Sequence, residues 1–421
     1  MQTNNRIAPI QAKERFVILD ALRGFALLGI CLANFPEFSL YTFQPAEVTA
    51  AMPSAAIDRV VRFIQYLFID GKFYTIFSIL FGIGFSIIIA NAERKGANGF
   101  KIFYRRMSVL ALIGFLHLML LWSGDILLLY AIAGMLLPLF RRLSDRMLLA
   151  VSALFIFVPV LIEWSTGMAQ ISLSAWASDL QWHYCAKYGI TEENFGVWLR
   201  DARSYAGVFQ FLIQGAFERM WEFLEGHRLL KVMGLFLLGF YIGRNRIYAG
   251  LACHRKEIGR TGTISLLVGL PLSVVYAWDS VSGHPFGDTV ASLLYAVSVV
   301  PMGISYMAGM AWLFMKYETS GMWRYIAAPG RMALTNYIGQ SLIGILLFYG
   351  IGFGWGASVG LGTTELIACG VFVVELLCSL AWLRYFRYGP LEWIWRMLTY
   401  GEYLKICLLY TSPSPRDSTS S

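Results

Sequence analysis

The sequence predicts an all-α fold, a polytopic transmembrane helix bundle of about 10 spans with a helical segment on its outer face. Hydrophobic residues make up 57% of the 421 residues. Charged residues make up only 14%, whereas soluble domains carry about 25%. Long apolar runs recur along the whole chain, and the mean hydropathy is +0.59. These observations favour an integral membrane protein over a soluble globular domain.

The apolar runs define ten predicted spans, since a helix needs roughly 20 residues to cross a bilayer. The third, fourth and sixth runs are shorter than this length. In chain order the predicted spans cover residues 16–35, 73–92, 107–122, 126–140, 147–165, 229–243, 262–279, 289–315, 332–353 and 364–383.

Lysine and arginine collect in alternate connections, which predicts the orientation by the positive-inside rule. Residues 94–106, 141–146 and 244–260 are rich in both types. We therefore expect both termini in the cytoplasm, in agreement with an even number of spans. The first fifteen residues are polar, so we expect no cleavable signal peptide. The opposite connections contain neither lysine nor arginine at residues 36–57, 280–288 and 354–363.

The formal net charge of +8 does not indicate nucleic-acid binding, because the basic residues lie between apolar runs rather than on a readout face. There they act as topology signals and contact the lipid bilayer. Six cysteines are scattered without a CxxC pair, and the histidines lack ligand spacing. We therefore expect no disulfide framework, no metal site and no resident cofactor.

This pattern divides the chain into three regions, and a fourth region at the C-terminal end is distinct from them. Residues 1–165 form an N-terminal transmembrane half, 166–228 a periplasmic amphipathic segment, and 229–405 a C-terminal transmembrane half. The middle segment fits a structural cap or a substrate-binding lid. Residues 407–421 begin with CLLYTSPSPRD, which resembles a frame translation of a sequencing-library adapter. We therefore expect that the native sequence was cut short near Ile406, that the remaining residues are not biological, and that this end is disordered.

The first span, which contains LDALRGFALLGICLAN, carries charges that a bilayer disfavours. Asp20 and Arg23 are three residues apart, so they share a helix face and can pair. Asn34 follows Arg23 by eleven residues, about three helical turns, and therefore lies on the same face. This pattern predicts a polar stripe on a functional helix. A structural ion pair with an asparagine cap is the alternative.

His117 is the one histidine placed well inside a predicted span, near its outer end. Asp125 follows in a Ser-Gly-Asp turn that begins the next helix. A hairpin this tight brings the carboxylate close to the imidazole, where it can fix one tautomer and leave a base. The alternatives are a satisfied polar residue for His117 and a helix cap for Asp125.

Lys72, Asn336 and Gln340 are further candidates for substrate binding. Asn336 and Gln340 lie one turn apart in GRMALTNYIGQS, and interhelical hydrogen bonds are the alternative for both. Neither a GxSxG elbow nor a GxxxxGK[ST] loop is present. Their absence disfavours a serine hydrolase and a nucleotide-driven pump.

The segments LDALRGFALLGICLAN, FYTIFSILFGIGFS, HLMLLWSGDILLLYA and GRMALTNYIGQSLIGILLFYG resemble the YeiB-like family of bacterial inner-membrane proteins. The C-terminal half of that family is known only as a domain of unknown function, DUF418. The family is similar to transmembrane acyltransferases of the acyltransferase-3 and heparan-glucosaminide acetyltransferase types. Acyltransferase-3 enzymes open with LDxLRG and carry a histidine where this chain has Asn34, so His117 is the natural replacement.

This resemblance implies an acyltransferase that moves an acyl group from cytoplasmic acyl-CoA to an extracytoplasmic hydroxyl or amine. Arg23 would hold the polar part of the donor, His117 would act as base or carry the acyl group, Asp125 would orient it, and Asn34 would stabilise the oxyanion. A transporter or channel for a small polar or amphipathic solute is the alternative. A non-catalytic scaffold is a third alternative that the buried charges disfavour. A homodimer follows by analogy alone.

Overall fold

The computed structural model describes residues 16–94, 96 and 98–408. Almost all secondary structure in this part is helical, and its one β-bridge joins Phe386 to Cys407. Within the predicted adapter-derived end, residues 409–421 lie outside the described residues. The first nine helices are α1 Val17–Phe38, α2 Ala46–Ala50, α3 Ala55–Phe68, α4 Lys72–Arg94, α5 Gly99–Leu120, α6 Leu127–Leu136, α7 Asp145–Ala169, α8 Ala175–Tyr188 and α9 Glu192–Phe195.

The second set of helices contains the outer segment and the C-terminal half. They are α10 Trp198–Asp201, α11 Tyr205–Glu225, α12 Arg228–Arg244, α13 Arg255–Val281, α14 Asp288–Lys316, α15 Met322–Arg331, α16 Ala333–Phe348, α17 Leu361–Tyr385 and α18 Pro390–Tyr400.

The described chain contains seven helical segments that are long and apolar enough to cross a membrane. They are α1, the α3–α4 stretch, α5, α7, α13, α14 and α17, while 127–140 and 333–348 form shorter apolar helices. All ten predicted spans coincide with helices. The predicted class, a polytopic transmembrane helix bundle, is therefore confirmed.

The third predicted span is longer than the sequence suggested. Helix α5 begins at Gly99 because the side chain of Asn98 accepts hydrogen bonds from the backbone N–H groups of Phe100 and Lys101. The charges at Lys101 and Arg105 interrupt the apolar run there without ending the helix. Helix capping therefore sets this boundary, and hydropathy does not.

Residues 170–228 fold into helices, as predicted, and cover one end of the bundle, which we call the cap end. Phe211 and Leu212 of α11 belong to the same buried cluster as Phe35 and Phe38 of α1. The opposite end carries Arg94 and Arg244, which end α4 and α12, together with Arg141, Arg142 and Arg246, and we call it the basic end. Helices α4 and α5 connect the two ends.

Candidate functional site

His117 lies at the cap end of α5, three residues before the helix ends at Leu120. Its carbonyl oxygen accepts hydrogen bonds from the N–H groups of Leu121 (3.0 Å) and Trp122 (2.9 Å), which turns the chain into the 121–126 hairpin. The imidazole is 2% exposed. A buried histidine needs partners for both ring nitrogens, and the structure supplies both.

Asp125 provides the first partner, as the sequence predicts. Its Oδ1 lies 2.9 Å from Nδ1 of His117, while Oδ2 accepts a hydrogen bond from the N–H of Leu128 at 2.8 Å. Asp125 therefore orients the ring and caps the first turn of α6. Gly114 permits this close approach, since a Cβ there would come within 2.4 Å of the Leu128 nitrogen.

Ser341 of α16 provides the second partner. Its Oγ lies 2.9 Å from Nε2 of His117, although the two residues are 224 positions apart. When Asp125 accepts a hydrogen bond from Nδ1–H, Nε2 carries the lone pair and accepts a hydrogen bond from the Ser341 hydroxyl. Asp125, His117 and Ser341 thus form one hydrogen-bonded chain, which we call the His117 cluster.

This geometry matches the roles of a nucleophile, a base and an orienting carboxylate. The histidine can take the serine proton as Oγ attacks an electrophilic carbonyl, and the carboxylate stabilises the resulting imidazolium. The aromatic rings of Tyr337 and Trp122 lie 5.2 and 6.2 Å from the imidazole and exclude water. Asp125 and Ser341 are 2% and 1% exposed, so the cluster is closed in this conformation.

A carboxylate from another helix fixes the start of α16. Glu392 of α18 accepts hydrogen bonds from the N–H groups of Leu334 (2.7 Å) and Thr335 (3.2 Å). Its other oxygen accepts from the Thr335 hydroxyl at 2.6 Å. A carboxylate at a helix N-terminus satisfies unpaired donors and complements the helix dipole. Glu392 therefore positions the helix that carries Ser341.

Helix α11 covers the hairpin of the His117 cluster. Arg219 donates to the carbonyl of Ser123 at 2.9 Å and pairs with Glu222 at 2.6 Å and with Glu37 of α1 at 3.3 Å. Nearby on α11, burial, then the charges of Glu222 and Glu37, raise the pKa of Glu218 to about 8. This charged network ties the outer segment to the hairpin.

Asp20 and Arg23 form the predicted ion pair at 2.9 Å, in the basic half of α1. Asp20 is buried, whereas the Arg23 side chain keeps 29% of its surface exposed. The pair lies in the first two turns of α1, at the opposite end of that helix from Phe35 and Phe38, which pack at the cap end.

Helix α1 packs closely against α15, and this packing depends on glycine. A Cβ on Gly24 would come within 2.0 Å of the Ile326 carbonyl oxygen, and one on Gly330 within 1.9 Å of the Asp20 carbonyl oxygen. Helices α1 and α15 therefore touch through their backbones. Any side chain at these two glycines would separate the helices.

Asn34 and Lys72 are not brought to the cluster. Among the described residues, no hydrogen bond joins Asn34 to His117, Asp125 or Ser341, and the Asn34 side chain is half-buried. Lys72 is fully buried, donates to the Tyr66 carbonyl and lies 5.0 Å from the centre of the Tyr276 ring. Its contacts are structural, and its predicted place among the substrate-binding residues gains no support from this position.

Asn336 and Gln340 face helix α17 instead of a substrate path. Asn336 donates to Ser379 at 3.0 Å, and Gln340 donates to Glu375 at 2.8 Å. The interhelical alternative therefore describes both contacts, and the prediction that these residues bind substrate is not supported by their positions. Ser341, next to Gln340, points to the other side.

Sequence reasoning assigned none of Ser341, Glu392 and Arg219 to the site, although Ser341 was expected to make an interhelical hydrogen bond. A serine on a membrane helix commonly bonds its own helix, and Ser341 does reach the Tyr337 carbonyl at 3.4 Å. Its spacing from Tyr337 places it on a buried face, but nothing local reveals a partner 224 residues away. Within the described ranges, no group of three or more His, Cys, Asp or Glu side chains could hold a metal ion.

Comparison with known proteins finds a family model and several relatives that are similar to this chain. Residues 242–402 match the family model described as "Protein of unknown function (DUF418)". The chain is 29% identical over 404 residues to uncharacterized protein YxaH of Bacillus subtilis (strain 168), covering 94% of this chain and 96% of the relative.

Two further relatives are similar over nearly their whole lengths. Uncharacterized protein YeiB of Escherichia coli (strain K12) is 28% identical over 403 residues, which cover 92% of this chain and 96% of YeiB. An uncharacterized 39.9 kDa protein from the amylase 3' region of Bacillus acidopullulyticus is 29% identical over 417 residues, with 95% and 98% coverage. No solved structure matches. The predicted resemblance to YeiB-like proteins is confirmed, and the apolar helices indicate a membrane protein.

Proposed function

We propose that this chain is a membrane acyltransferase that moves an acyl group from cytoplasmic acyl-CoA to an extracytoplasmic hydroxyl or amine. The observation that carries the proposal is the hydrogen-bonded chain Asp125–His117–Ser341. A buried serine with a histidine base and a carboxylate is the arrangement that nucleophilic acyl transfer requires. The relationship to transmembrane acyltransferases, which the sequence resemblance predicts, is part of this proposal.

The first step forms an ester on Ser341. Its Oγ attacks the thioester carbonyl, and His117 takes the hydroxyl proton at Nε2. The carbon–sulfur bond then breaks, the thiolate takes the proton from His117, and the thiol leaves. Asp125 holds the ring and stabilises the imidazolium while the proton resides there.

The second step reverses this sequence with the acceptor. Its hydroxyl or amine attacks the acyl-serine, His117 removes the acceptor proton, and the proton returns to Ser341 as the ester bond breaks. An acyl group carried by His117 itself would require Ser341 to leave Nε2, so the observed contact favours the serine route. The first step loses one proton with the departing thiol and the second gains one from the acceptor, so the cluster returns to its starting protonation state.

The donor and the acceptor reach the cluster from different sides in this proposal. The basic end faces the cytoplasm of the bacterial inner membrane and the cap end faces outward, in accord with the positive-inside rule. Both termini are then cytoplasmic. Helix α11 acts as a lid, since the cluster is closed and Arg219 links this helix to the hairpin.

The test measures free-thiol release from a panel of short-chain acyl-CoAs by purified protein, with and without envelope extract as acceptor source. We expect release by wild type and a loss of at least about 10³-fold in His117→Ala and Ser341→Ala. Ser152→Ala is the matched control, because Ser152 is a buried serine that donates at 2.6 Å to Gly234 on another helix.

Wild type that releases no thiol with any donor, even with the extract present, would contradict the proposal and favour the transport alternative. Uptake of polar solutes into proteoliposomes is then the measurement that identifies the second function. Equal release by wild type and Ser341→Ala would remove the serine from the mechanism.

A further inference from the structure

A cavity of about 710 Å³ opens at the basic end, far from the His117 cluster. It lies between the end of α4, the start of α5, the turn after residue 140 and the end of α12. The side chains that line it are mostly arginine and aromatic: Phe16, Glu93, Arg94, Phe100, Arg141, Arg142, Phe240, Arg244, Arg246 and Tyr248.

The charge of this cavity is strongly unbalanced. Five arginines line it against one carboxylate, Glu93. Arg244 is held by Asp145 and by the Leu143 carbonyl at 2.7 Å, so it is a fixed part of the wall. Within the described part of the chain, no carboxylate forms an ion pair with Arg141, Arg142 or Arg246, and all three are exposed.

Flat apolar surfaces lie beside these guanidinium groups. The Arg141 guanidinium lies 4.4 Å from the centre of the Phe100 ring, and Phe16 meets Tyr248 edge-to-face at 4.8 Å. At the cavity floor, a Cβ on Gly243 would come within 2.3 Å of Ser86 Oγ, so α12 presses directly on α4. The cavity thus combines a rigid floor, aromatic walls and a cationic rim.

We propose that this cavity binds a phosphate-bearing ligand that also carries a flat or apolar group. Guanidinium groups bind phosphate oxygens in bidentate fashion, and arginine is the preferred residue for this recognition. Two sources share this chemistry: the phosphates of coenzyme A and the headgroup of an anionic phospholipid. The coenzyme A source rests on the proposed function, and the lipid source is independent of it.

The cavity and the His117 cluster are separate enough to be tested separately. Phe100 at the cavity and His117 lie 17 residues apart on the one helix α5, about 26 Å at 1.5 Å per residue. A phosphate group in the cavity therefore does not touch the reacting atoms. Binding can be measured without turnover.

The experiment compares three proteins in nanodiscs: wild type, the triple variant Arg141→Gln/Arg142→Gln/Arg246→Gln, and a matched control. The control is Arg255→Gln/Lys256→Gln/Arg260→Gln, which removes three exposed cations of the same end that do not line the cavity. One arm titrates coenzyme A without an acyl group in neutral phosphatidylcholine. The other measures phosphatidylglycerol that stays bound in native mass spectrometry.

We expect wild type and control to bind in at least one arm, and the triple variant to bind at least about tenfold more weakly there. High salt should weaken coenzyme A binding, because exposed charges are screened. Coenzyme A binding identifies a soluble phosphate donor, and selective phosphatidylglycerol retention identifies a lipid site. Either result supports the phosphate site.

Absence of binding by wild type in both arms would overturn the proposal, and so would equal binding by the triple variant and the control. Size-exclusion profiles and unfolding temperatures verify that the variants fold. If the triple variant does not fold, the single variant Arg142→Gln is tested in its place. Binding without thiol release would refute the proposed function and leave this site intact.

Discussion

The His117 cluster and the arginine-lined cavity are the two polar regions at opposite ends of the bundle, and they are built on opposite principles. In the cluster, three side chains no more than 2% exposed satisfy one another's hydrogen bonds. In the cavity, five arginines and one glutamate line the wall, and Arg141, Arg142 and Arg246 are exposed to solvent. The first arrangement suits chemistry in a dry site, and the second suits recognition of an anion.

This difference decides how sensitive each region is to substitution. Removing one partner from a buried network leaves an unsatisfied group, which costs about 1–3 kcal/mol. Exposed charges contribute only about 0–1 kcal/mol each and are screened by salt. Substitutions in the cluster should therefore alter stability and activity together, whereas those in the cavity should alter binding alone.

Breaking the cluster at its carboxylate gives the largest expected effect. In Asp125→Asn the amide donates to Nδ1, so the proton moves to Nε2 and His117 cannot take the proton of Ser341. We expect acyl transfer to fall by about 10²–10⁴-fold with little change in KM. Steady-state kinetics measure this change, and an unaltered kcat would contradict the role of Asp125.

Forcing helices α1 and α15 apart has the second-largest expected effect. In Gly330→Ala the new methyl group would meet the backbone of Asp20, so α1 and α15 must separate. We expect a loss of about 1–3 kcal/mol in the free energy of unfolding. Gly309→Ala in α14 is the control, because a Cβ there meets nothing within 4 Å. Thermal unfolding in detergent compares them, and equal unfolding temperatures would refute the close contact.

The cluster can also be disturbed from a distance through α16. Glu392→Ala removes the acceptor for the Leu334 and Thr335 N–H groups, and we expect a loss of about 1–3 kcal/mol in stability with reduced activity. Glu392→Gln keeps an acceptor oxygen and should restore part of both. Glu318→Ala removes an exposed carboxylate and is the control. Wild-type kinetics in Glu392→Ala would show that this cap does not position Ser341.

The smallest expected effect concerns the lid over the cluster and its dependence on pH. Burial and the charges of Glu222 and Glu37 raise the pKa of Glu218 to about 8. The folded state therefore holds this proton more tightly than the unfolded state does. The stabilisation is complete below the usual glutamate pKa and is lost as pH rises through about 8.

Unfolding temperatures between pH 5.5 and 8.5 measure this dependence. Wild type should lose stability across the interval, and Glu218→Gln should lose less, because its side chain cannot ionise. Identical slopes for the two proteins would show that Glu218 does not titrate in this range.

The membrane spans were predictable because hydropathy acts locally. Each apolar run in the sequence became a helix, and the Asp20–Arg23 pair followed from their i, i+3 spacing. The contact between His117 and Asp125 was predictable for the same reason, since only a short hairpin separates them. Their catalytic role remains a prediction.

The remaining part of the site depends on tertiary contacts that no local pattern encodes. Ser341 reaches His117 from a helix that is distant in sequence, and that helix, α16, starts where Glu392 of α18 caps it. Lys72, Asn336 and Gln340 carry the same polar signal as the residues of the His117 cluster, yet they pair with Tyr66, Ser379 and Glu375. Sequence identifies buried polar residues, and packing decides which of them meet.

Trapping of an acyl-serine tests the central claim most directly. Wild type is incubated with radiolabelled acyl-CoA in the absence of acceptor, and the labelled residue is located by peptide mass spectrometry. We predict a label on Ser341 that is absent in Ser341→Ala, forms slowly in Asp125→Asn, and disappears when an acceptor is added. Label that persists in Ser341→Ala, or a wild type that releases thiol without ever carrying label on Ser341, would contradict the account.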